Sequence, residues 1–249
     1  MLFEKKVAVV TGAAQGIGKA IALGLAKQGA DLVLADLDVE KVKSVADQIA
    51  AETGRQAMAI KTDVGDQRSV QAMVDQATEK FGQIDILVNN AGIIRRGSLE
   101  TMTDQDWHDV VRTNLTGVYY CCRAIVPIMK GQGSGKIVNI SSVAAKTGDI
   151  TSSPGYGPSK AAIDCLTKSL ARELAPYGIN VNAVAPHAIE TEMSAEWSDE
   201  KRKKVVSAIP LGRMGQPEEV AELVAFLASD KASFITGEIV DVNGGFLMD

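Results

Sequence analysis

The sequence has little of what several common kinds of site require. It contains two histidines and three cysteines, and none of them falls in a His-Glu-x-x-His or Cys-x-x-Cys spacing. A metal centre is therefore not expected. The sequence also lacks the Gly-x-Ser-x-Gly turn of serine hydrolases, and neither Gly-Lys pair that ends a glycine-rich stretch is followed by Ser or Thr, as a phosphate-binding loop requires. These absences argue against metal-dependent, hydrolase and phosphate-loop chemistry.

An excess of positive charge is also absent. The formal net charge of −5 and the sequence pI of about 5.2 disfavour nucleic acid or an anionic membrane as the main partner. The cationic run 201–204 follows two carboxylates and is more typical of a solvated helix face. The chain starts without a signal-peptide pattern, and no apolar run reaches the ~18 residues that span a bilayer. The cysteines lie in apolar helical patterns and are expected to be core thiols, so we expect a cytoplasmic protein.

Short apolar runs alternate with helical patterns along the chain. The strand candidates are apolar throughout, which is typical of strands buried on both faces of a parallel sheet. Those candidates are 7–10, 32–35, 57–60, 86–88, 136–140, 179–185 and 238–242. Hydrophobic residues make up 46% of 249 residues, which suits one α/β domain over 1–249. From about 188 to 215 the pattern loosens, and we expect this stretch to form a lid over a cleft.

A glycine turn follows the first strand. The stretch Thr11–Gly18 has the spacing Gly-x-x-x-Gly-x-Gly and opens a helix. Glycines there let backbone N–H groups approach a pyrophosphate, and the helix N-terminus adds partial positive charge. Asp36 ends the second strand, where a carboxylate can bind the adenosine ribose hydroxyls and repel a 2′-phosphate. The residues favour NAD(H) over NADP(H).

Tyr156 and Lys160 are four residues apart at the start of a helical pattern, so their side chains are expected on one helix face. An ammonium about 4 Å from a phenol favours the phenolate by up to ~4 kcal/mol at an effective dielectric of ~20. The pKa of a tyrosine, ordinarily about 10, then falls by at most roughly three. Such a tyrosine can exchange a proton with an alcohol or ketone, with a donor such as Ser142 holding the oxygen.

Together these motifs resemble the short-chain dehydrogenase/reductase family over essentially the whole chain. The resemblance is carried by Thr11–Gly18, Asp63 and Val64, 89–92, Asn114, Ser142, Tyr156 with Lys160, and 186–191. It implies a Rossmann-type doubly wound fold with a seven-stranded parallel sheet in the order 3-2-1-4-5-6-7. It also implies hydride transfer between the nicotinamide of NAD(H) and a secondary alcohol or ketone, carried by a small molecule or an acyl thioester.

Residue roles follow from the same resemblance. It implies that Tyr156 is the acid/base, that Ser142 binds the substrate oxygen, and that Lys160 and Asn114 complete a proton relay. The implied cofactor-binding set is Gly12, Gln15, Gly16, Ile17, Gly18, Asp36, Asp63, Val64, Asn90, Ala91, Gly92, Tyr156, Lys160, Pro186, Ile189 and Thr191. The family usually assembles as homotetramers, and the apolar end 245–248 would suit burial against another subunit.

Two positions depart from the family pattern. The stretch between Ser142 and Tyr156 is one residue longer than in the family, which leaves the choice between Ser141 and Ser142 open. His187 stands where the family usually has glycine, which raises the question of a positive φ there. His187 is either a substrate contact or a tolerated loop residue.

The substrate remains open among several classes. The last third of the chain is most similar to 3-oxoacyl-(acyl carrier protein) reductases. Arg95 and Arg96 follow 89–92 as in gluconate and deoxygluconate dehydrogenases, where a cation can meet a carboxylate, although a solvated loop explains them equally well. A small secondary alcohol or diol is a third option. A non-catalytic dinucleotide-binding regulator is the alternative from another class, and the presence of Tyr156 with Lys160 opposes it.

Overall fold

The computed structural model describes residues 1–148 and 152–248, which form a parallel sheet covered by helices on both faces. Its strands are β1 (Val7–Thr11), β2 (Asp31–Asp36), β3 (Ala57–Lys61), β4 (Ile86–Asn89), β5 (Gly135–Ile140), β6 (Ile179–Pro186) and β7 (Ile239–Val242). Their order in the sheet is β3-β2-β1-β4-β5-β6-β7, and each neighbouring pair is parallel. The predicted seven-stranded order is confirmed.

The helices follow the alternation that the sequence predicts. They are α1 (Gly16–Lys27), α2 (Val39–Thr53), α3 (Gln67–Phe81), α4 (Asp104–Val111), α5 (Gly117–Gln132), α6 (Ala144–Thr147), α7 (Tyr156–Leu174), α8 (Glu192–Ala195), α9 (Asp199–Ser207) and α10 (Pro217–Ala228). Short 3-10 turns cover Ala175–Tyr177 and Asp230–Ala232. The helical pattern of the sequence continues over 104–129 and predicts one helix there, but the structure has α4 and α5, joined by one π-helical turn at Arg112–Thr116.

Both faces of the sheet are buried, as the apolar strands indicate. On β1, Ala8 and Val10 pack against α1, α2 and α10, while Val7 and Val9 pack against α3, α5 and α7. Each strand therefore contributes to two cores, which is why its apolar residues run without alternation. The carboxyl ends of all the strands meet at one edge of the sheet, where ligands bind in folds of this type.

The cysteines only partly follow the expectation of core thiols. Cys121 and Cys122 are buried in α5, and burial raises the pKa of the Cys122 thiol to about 12. Cys165 is exposed on α7, so that part of the expectation is wrong. Its position in the helical pattern did not reveal which face it occupies.

The part of the chain that the structure describes has neither a membrane-spanning helix nor a cluster of metal ligands. None of its helices is long and apolar enough to cross a membrane. Nor do these residues bring together three or more His, Cys, Asp or Glu side chains that could hold a metal ion.

Candidate active site

The glycine turn between β1 and α1 is built so that side chains cannot occupy it. Gly12 and Gly16 have φ angles of 65° and 53°, in the left-handed region that favours glycine. A Cβ on Gly18 would lie 2.0 Å from the carbonyl oxygen of Gly12. Glycine is therefore required at Gly18 by space and at the other two by backbone conformation. The turn leaves the N-terminus of α1 open towards a cleft of about 1350 Å³.

Asn90 joins this turn to β4. Its Nδ2 atom donates to the carbonyl oxygens of Thr11 and Gly12, both at 3.0 Å. The hydroxyl of Thr11 accepts the backbone N–H groups of Asn90 and Ala91, at 3.0 and 3.1 Å. The Asn90 amide therefore holds the shape of the turn, a contact that the sequence did not indicate, and Ala91 and Gly92 line the cleft beside it.

Asp36 lies at the rim of the same cleft with a fixed carboxylate. Oδ2 accepts the N–H of Ala14 at 3.0 Å, and Oδ1 accepts the N–H of Asp38 at 3.1 Å. A carboxylate oxygen can accept more than one hydrogen bond, so both oxygens can still take a ligand hydroxyl. Beside it, Lys41 Nζ donates to Gln15 Oε1 at 3.3 Å and lies 3.5 Å from Asp38 Oδ2.

Asp63 is tied into the protein rather than pointing freely into the cleft. Its Oδ1 accepts the N–H of Gly65 and its Oδ2 accepts from Arg112 Nη1, both at 2.9 Å. The hydrogen bond to this carboxylate raises the pKa of Arg112. Val64 packs against Gly117, where a Cβ would lie 2.8 Å from Val64 Cγ2. Arg112 is a cleft residue that the sequence reasoning missed, since its partner lies 49 residues earlier in the chain.

Tyr156 and Lys160 occupy the first two turns of α7, and both line the cleft. Lys160 is only 4% exposed, and its Nζ donates to the carbonyl oxygen of Ile140 at 2.7 Å. That nitrogen lies 5.8 Å from the centroid of the Tyr156 ring. Burial lowers the pKa of Lys160 to about 8, and the Asp164 carboxylate one turn later offsets part of this effect. The two side chains therefore share one helix face, and the lysine is still mostly cationic at neutral pH.

Asn114 lies in the π-helical turn, fully buried. Its Oδ1 accepts the N–H of Ile93 at 2.8 Å, and its Nδ2 donates to the carbonyl oxygen of Ile93 at 3.0 Å and to Ser159 Oγ at 3.1 Å. A Cβ on Gly92 would stand 3.4 Å from Asn114 Oδ1 and 3.6 Å from Lys160 Nζ. Gly92 thus keeps the space between the amide and the ammonium open.

The two adjacent serines differ in what they face. Ser142 is half-buried, and its Oγ accepts the N–H of Ala144 at 3.2 Å and lies 3.5 Å from the carbonyl oxygen of Pro186. Ser141 is buried, and its hydroxyl donates to the carbonyl oxygen of Lys160 at 3.4 Å. This geometry favours Ser142 as the hydroxyl available to a ligand. The additional residue expected before Gly155 cannot be placed, because 149–151 lie outside the described residues.

The segment 188–215 borders the cleft and includes α8 and α9. Its start is anchored where Ile189 bridges to Gly215, with the N–H of Glu190 donating to the Gly215 carbonyl at 2.9 Å. Thr191 then approaches the glycine turn, since a Cβ on Gly16 would lie 3.3 Å from Thr191 Cγ2. The segment is therefore positioned directly above the predicted dinucleotide turn.

His187 does not adopt a positive φ, which resolves the question that its departure from the family's glycine raised. Its N–H donates to the carbonyl oxygen of Val242 at 3.1 Å, continuing the pairing of β6 with β7. Its ring stacks on Phe246, with centroids 3.8 Å apart and an interplanar angle of 17°. The apolar end of the chain thus packs partly within its own subunit, while Met248 is 78% exposed.

Arg95 also lines the cleft, but its guanidinium is engaged by α4. Nη2 lies 3.1 Å from Asp109 Oδ2, and Nε lies 3.3 Å from Asp106 Oδ1. The pKa of each carboxyl is lowered, chiefly by hydrogen bonds from Gln105 to Asp109 and from Thr103 to Asp106, with Arg95 contributing to both. Arg96 follows on the exposed surface. The structure therefore gives no support to Arg95 as a ready receptor for a substrate carboxylate.

Comparisons with known proteins agree with this geometry. A family model described as enoyl-(acyl carrier protein) reductase matches residues 12–247. The chain is 46% identical over 247 residues to the 3-oxoacyl-[acyl-carrier-protein] reductase FabG of Staphylococcus aureus strain Mu50, covering 98% of each chain. A crystal structure of a short-chain type dehydrogenase/reductase from Mycobacterium marinum superposes with a TM-score of 0.94 at 38% identity, covering 100% of this chain and 98% of that one. The 3-oxoacyl-[acyl-carrier protein] reductase of Brucella melitensis gives a TM-score of 0.95 at 37% identity, covering 100% of this chain and 93% of the other.

Proposed function

The chain belongs to the short-chain dehydrogenase/reductase family and is an oxidoreductase acting on C=O and CH–OH groups with a nicotinamide cofactor. From that premise we propose that it uses NAD(H) and reduces 3-oxoacyl thioesters to 3-hydroxyacyl thioesters. The observation that carries the proposal is that Tyr156, Lys160 and Ser142 line the same cleft as the glycine turn and Asp36. Redox chemistry at a carbonyl needs these two sets of groups side by side.

The residues fit a nicotinamide dinucleotide. The glycine turn, where a Cβ on Gly18 would collide with the Gly12 carbonyl, can receive a pyrophosphate against the N-terminus of α1. The Asp36 carboxylate, held by two backbone N–H groups, supports a preference for the free ribose hydroxyls of NAD(H). The neighbouring cation, Lys41, already contacts Asp38 and Gln15. When bound, the nicotinamide supplies or accepts the hydride.

The protein's own groups would handle the proton and the substrate oxygen. The Ser142 hydroxyl holds the carbonyl oxygen, and the Tyr156 phenol donates the proton that the reduced oxygen takes up. The Lys160 ammonium lowers the pKa of the phenol. Asn114 fixes the backbone at Ile93, and Gly92 leaves the space between Asn114 and Lys160 open for the relay that returns a proton.

The lining of the cleft supports an acyl substrate over a sugar acid. It includes the apolar side chains of Ile94, Trp197, Val205 and Phe246, beside charged side chains of α9. Arg95, the cation proposed for a sugar-acid carboxylate, is shared between Asp106 and Asp109. The relatives from Staphylococcus aureus and Brucella melitensis are named as 3-oxoacyl reductases, which favours the same class.

The proposal is tested by measuring the rate of cofactor oxidation with acetoacetyl thioesters in parallel with NADH and NADPH. We expect a higher kcat/KM with NADH, and Tyr156→Phe should lower kcat by about 10²–10⁴ while NADH still binds. Full activity of Tyr156→Phe would overturn the assigned chemistry. A preference for NADPH would overturn the cofactor, and reduction of a ketogluconate in place of acetoacetyl thioesters would overturn the substrate.

We also propose that the chain assembles as a homotetramer. The strand β7 pairs with β6 on one side and lies at the sheet edge, and an uncovered edge strand is a surface that proteins ordinarily pair or shield. Phe226 and Phe234 are 40% and 103% exposed. Light scattering after size-exclusion chromatography tests this, and a monomer at working concentration would contradict it.

A further inference from the structure

The chain ends in a turn that its own side chains fix in place. Asn243 Oδ1 accepts the N–H of Gly245 at 2.8 Å, and its Nδ2 donates to the carbonyl oxygen of Leu247 at 2.9 Å. The N–H of Phe246 donates to the Asn243 carbonyl at 3.1 Å. Gly244 and Gly245 have φ angles of 62° and 86°, which other residues adopt only with strain. Phe246 therefore has a defined position.

This turn packs against the segment 188–215 at close range. The N–H of Leu211 donates to the Gly244 carbonyl at 3.2 Å. A Cβ on Gly244 would lie only 2.7 Å from Ile209 Cγ2, so the two backbones could not approach this closely with a larger residue. Phe246 joins a small apolar cluster with Trp197 and Val205. The end of the chain and the segment above the cleft are thus one packed unit.

Phe246 stacks on His187 in the lining of the cleft. The two rings stack face to face at 3.8 Å, and both side chains line the cleft that contains Ser142 and Tyr156. His187 directly follows Pro186, whose carbonyl oxygen is 3.5 Å from Ser142 Oγ. The stacked ring of His187 is therefore attached to the chain one residue after the carbonyl group that contacts Ser142 Oγ.

We propose that the stacked pair His187–Phe246, here called the aromatic wall, determines substrate specificity by closing one end of the substrate pocket. It restricts the alkyl group beyond the reacting carbonyl to a short one. A stacked pair held by β6, β7 and the terminal turn has little freedom to move aside, and forcing extra methylenes into a packed site is unfavourable. The inference rests on the proposed function, because it concerns the acyl chain of that substrate.

The experiment compares kcat/KM for acetoacetyl and 3-oxooctanoyl thioesters of N-acetylcysteamine, with NADH. Wild type should favour the short substrate. Phe246→Ala should raise the long-to-short ratio by about tenfold or more, mainly through KM for the long substrate, as expected when a pocket gains room for several methylenes. Phe246→Leu, which keeps apolar volume but loses the stack, should fall between them and serves if Phe246→Ala folds poorly.

Tyr177→Ala is the matched control, because Tyr177 is 45% exposed in the turn just before β6, at the amino ends of the strands and away from the cleft. It should leave the ratio unchanged, and the NADH dissociation constant should be the same in all these proteins. If a folded Phe246 variant has a long-to-short kcat/KM ratio within about twofold of the wild-type ratio, the proposed role of the aromatic wall is wrong. A change that small is far below the discrimination that even one methylene gives. If wild type reduces neither thioester, the proposed substrate is wrong, and 2-butanone against 2-octanone tests the wall by the same criterion.

Discussion

The Lys160 ammonium nitrogen lies 5.8 Å from the centroid of the Tyr156 ring and 2.7 Å from the carbonyl oxygen of Ile140. The helix sets the first relationship, since the two residues are one turn apart on α7. The hydrogen bond to Ile140 fixes the long side chain of Lys160, so that its charge stays beside the phenol of Tyr156. Holding the ammonium there requires burying it, and burial lowers its pKa to about 8.

The buried ammonium predicts a distinctive pH dependence. The pKa of Lys160 is depressed in the folded protein, so between about pH 8 and its ordinary value the unfolded chain binds more protons. The free energy of unfolding attributable to this group therefore rises with pH in that window, by at most about 1.4 kcal/mol per pH unit. In the same window the cationic form disappears, and kcat/KM for reduction should fall. Urea unfolding and initial rates at a series of pH values measure both trends.

Lys160→Met should lose the rise in stability that wild type shows over this window. Lys168→Met changes an exposed lysine two turns further along the same helix and should retain it. Parallel stability curves for wild type and Lys160→Met would mean that burial does not depress this lysine's pKa.

The sheet could be predicted because its physical signal is local. On β1, successive apolar residues enter opposite cores, so the strand is apolar throughout and recognisable by itself. The residues at which a strand begins and ends are harder to predict, because they depend on contacts with residues that are distant in the sequence. For example, β2 begins at Asp31, one residue before its apolar run, because the backbone of Asp31 pairs with β1 and donates its N–H to the carbonyl oxygen of Lys6.

The contacts that refine the site could not be read from the sequence, because their partners are remote along the chain. The π-helical turn at Asn114 interrupts an apolar pattern that continues through it, and the amide's partners are Ile93 and Ser159. The position of Arg95 in the sequence suits a carboxylate ligand, but in the fold its guanidinium pairs with Asp106 and Asp109. The sequence motifs thus identify the side chains of the candidate site, and tertiary contacts determine which of these side chains can still bind a ligand.

Asp36→Asn should change cofactor preference. The variant keeps a side chain of the same shape and can still accept one of the N–H groups of Ala14 and Asp38, and it removes the charge that would repel a 2′-phosphate. The ratio of the NADPH to the NADH dissociation constant should fall by about tenfold or more, equivalent to about 1.4 kcal/mol. Quenching of cofactor fluorescence measures both constants.

Asp31→Asn makes the same substitution at the other end of β2, away from the cleft, and should leave the ratio unaltered. An unchanged ratio in Asp36→Asn would show that another group selects the cofactor.

Ser142→Ala and Ser141→Ala separate the two neighbouring hydroxyls. Ser142 lines the cleft beside the Pro186 carbonyl, whereas the Ser141 hydroxyl is bonded to the backbone of Lys160. Loss of a donor to the substrate oxygen lowers kcat by about 10²–10³ in comparable sites, and we expect this of Ser142→Ala. Ser141→Ala should cost far less. Steady-state kinetics measure kcat for both variants. A larger loss of kcat in Ser141→Ala than in Ser142→Ala would assign the binding of the substrate oxygen to Ser141.

Gly18→Ala and Gly24→Ala place the same methyl group at two glycines of α1 with opposite expected results. At Gly18 the new Cβ would lie 2.0 Å from the Gly12 carbonyl oxygen, whereas at Gly24 it would lie 3.6 Å from Ala221 Cβ, an ordinary contact. Overpacking should destabilise Gly18→Ala by about 1–3 kcal/mol. Gly24→Ala should gain up to about 1 kcal/mol from the higher helix propensity of alanine.

The glycine turn should also be distorted in Gly18→Ala, so NADH should bind at least about tenfold more weakly there, a change of about 1.4 kcal/mol. Gly24→Ala should bind NADH as wild type does, because its methyl group points towards α10. Urea unfolding and cofactor titration together make the comparison. Equal behaviour of the two variants would contradict the role of the close approach at Gly18 in forming the dinucleotide turn.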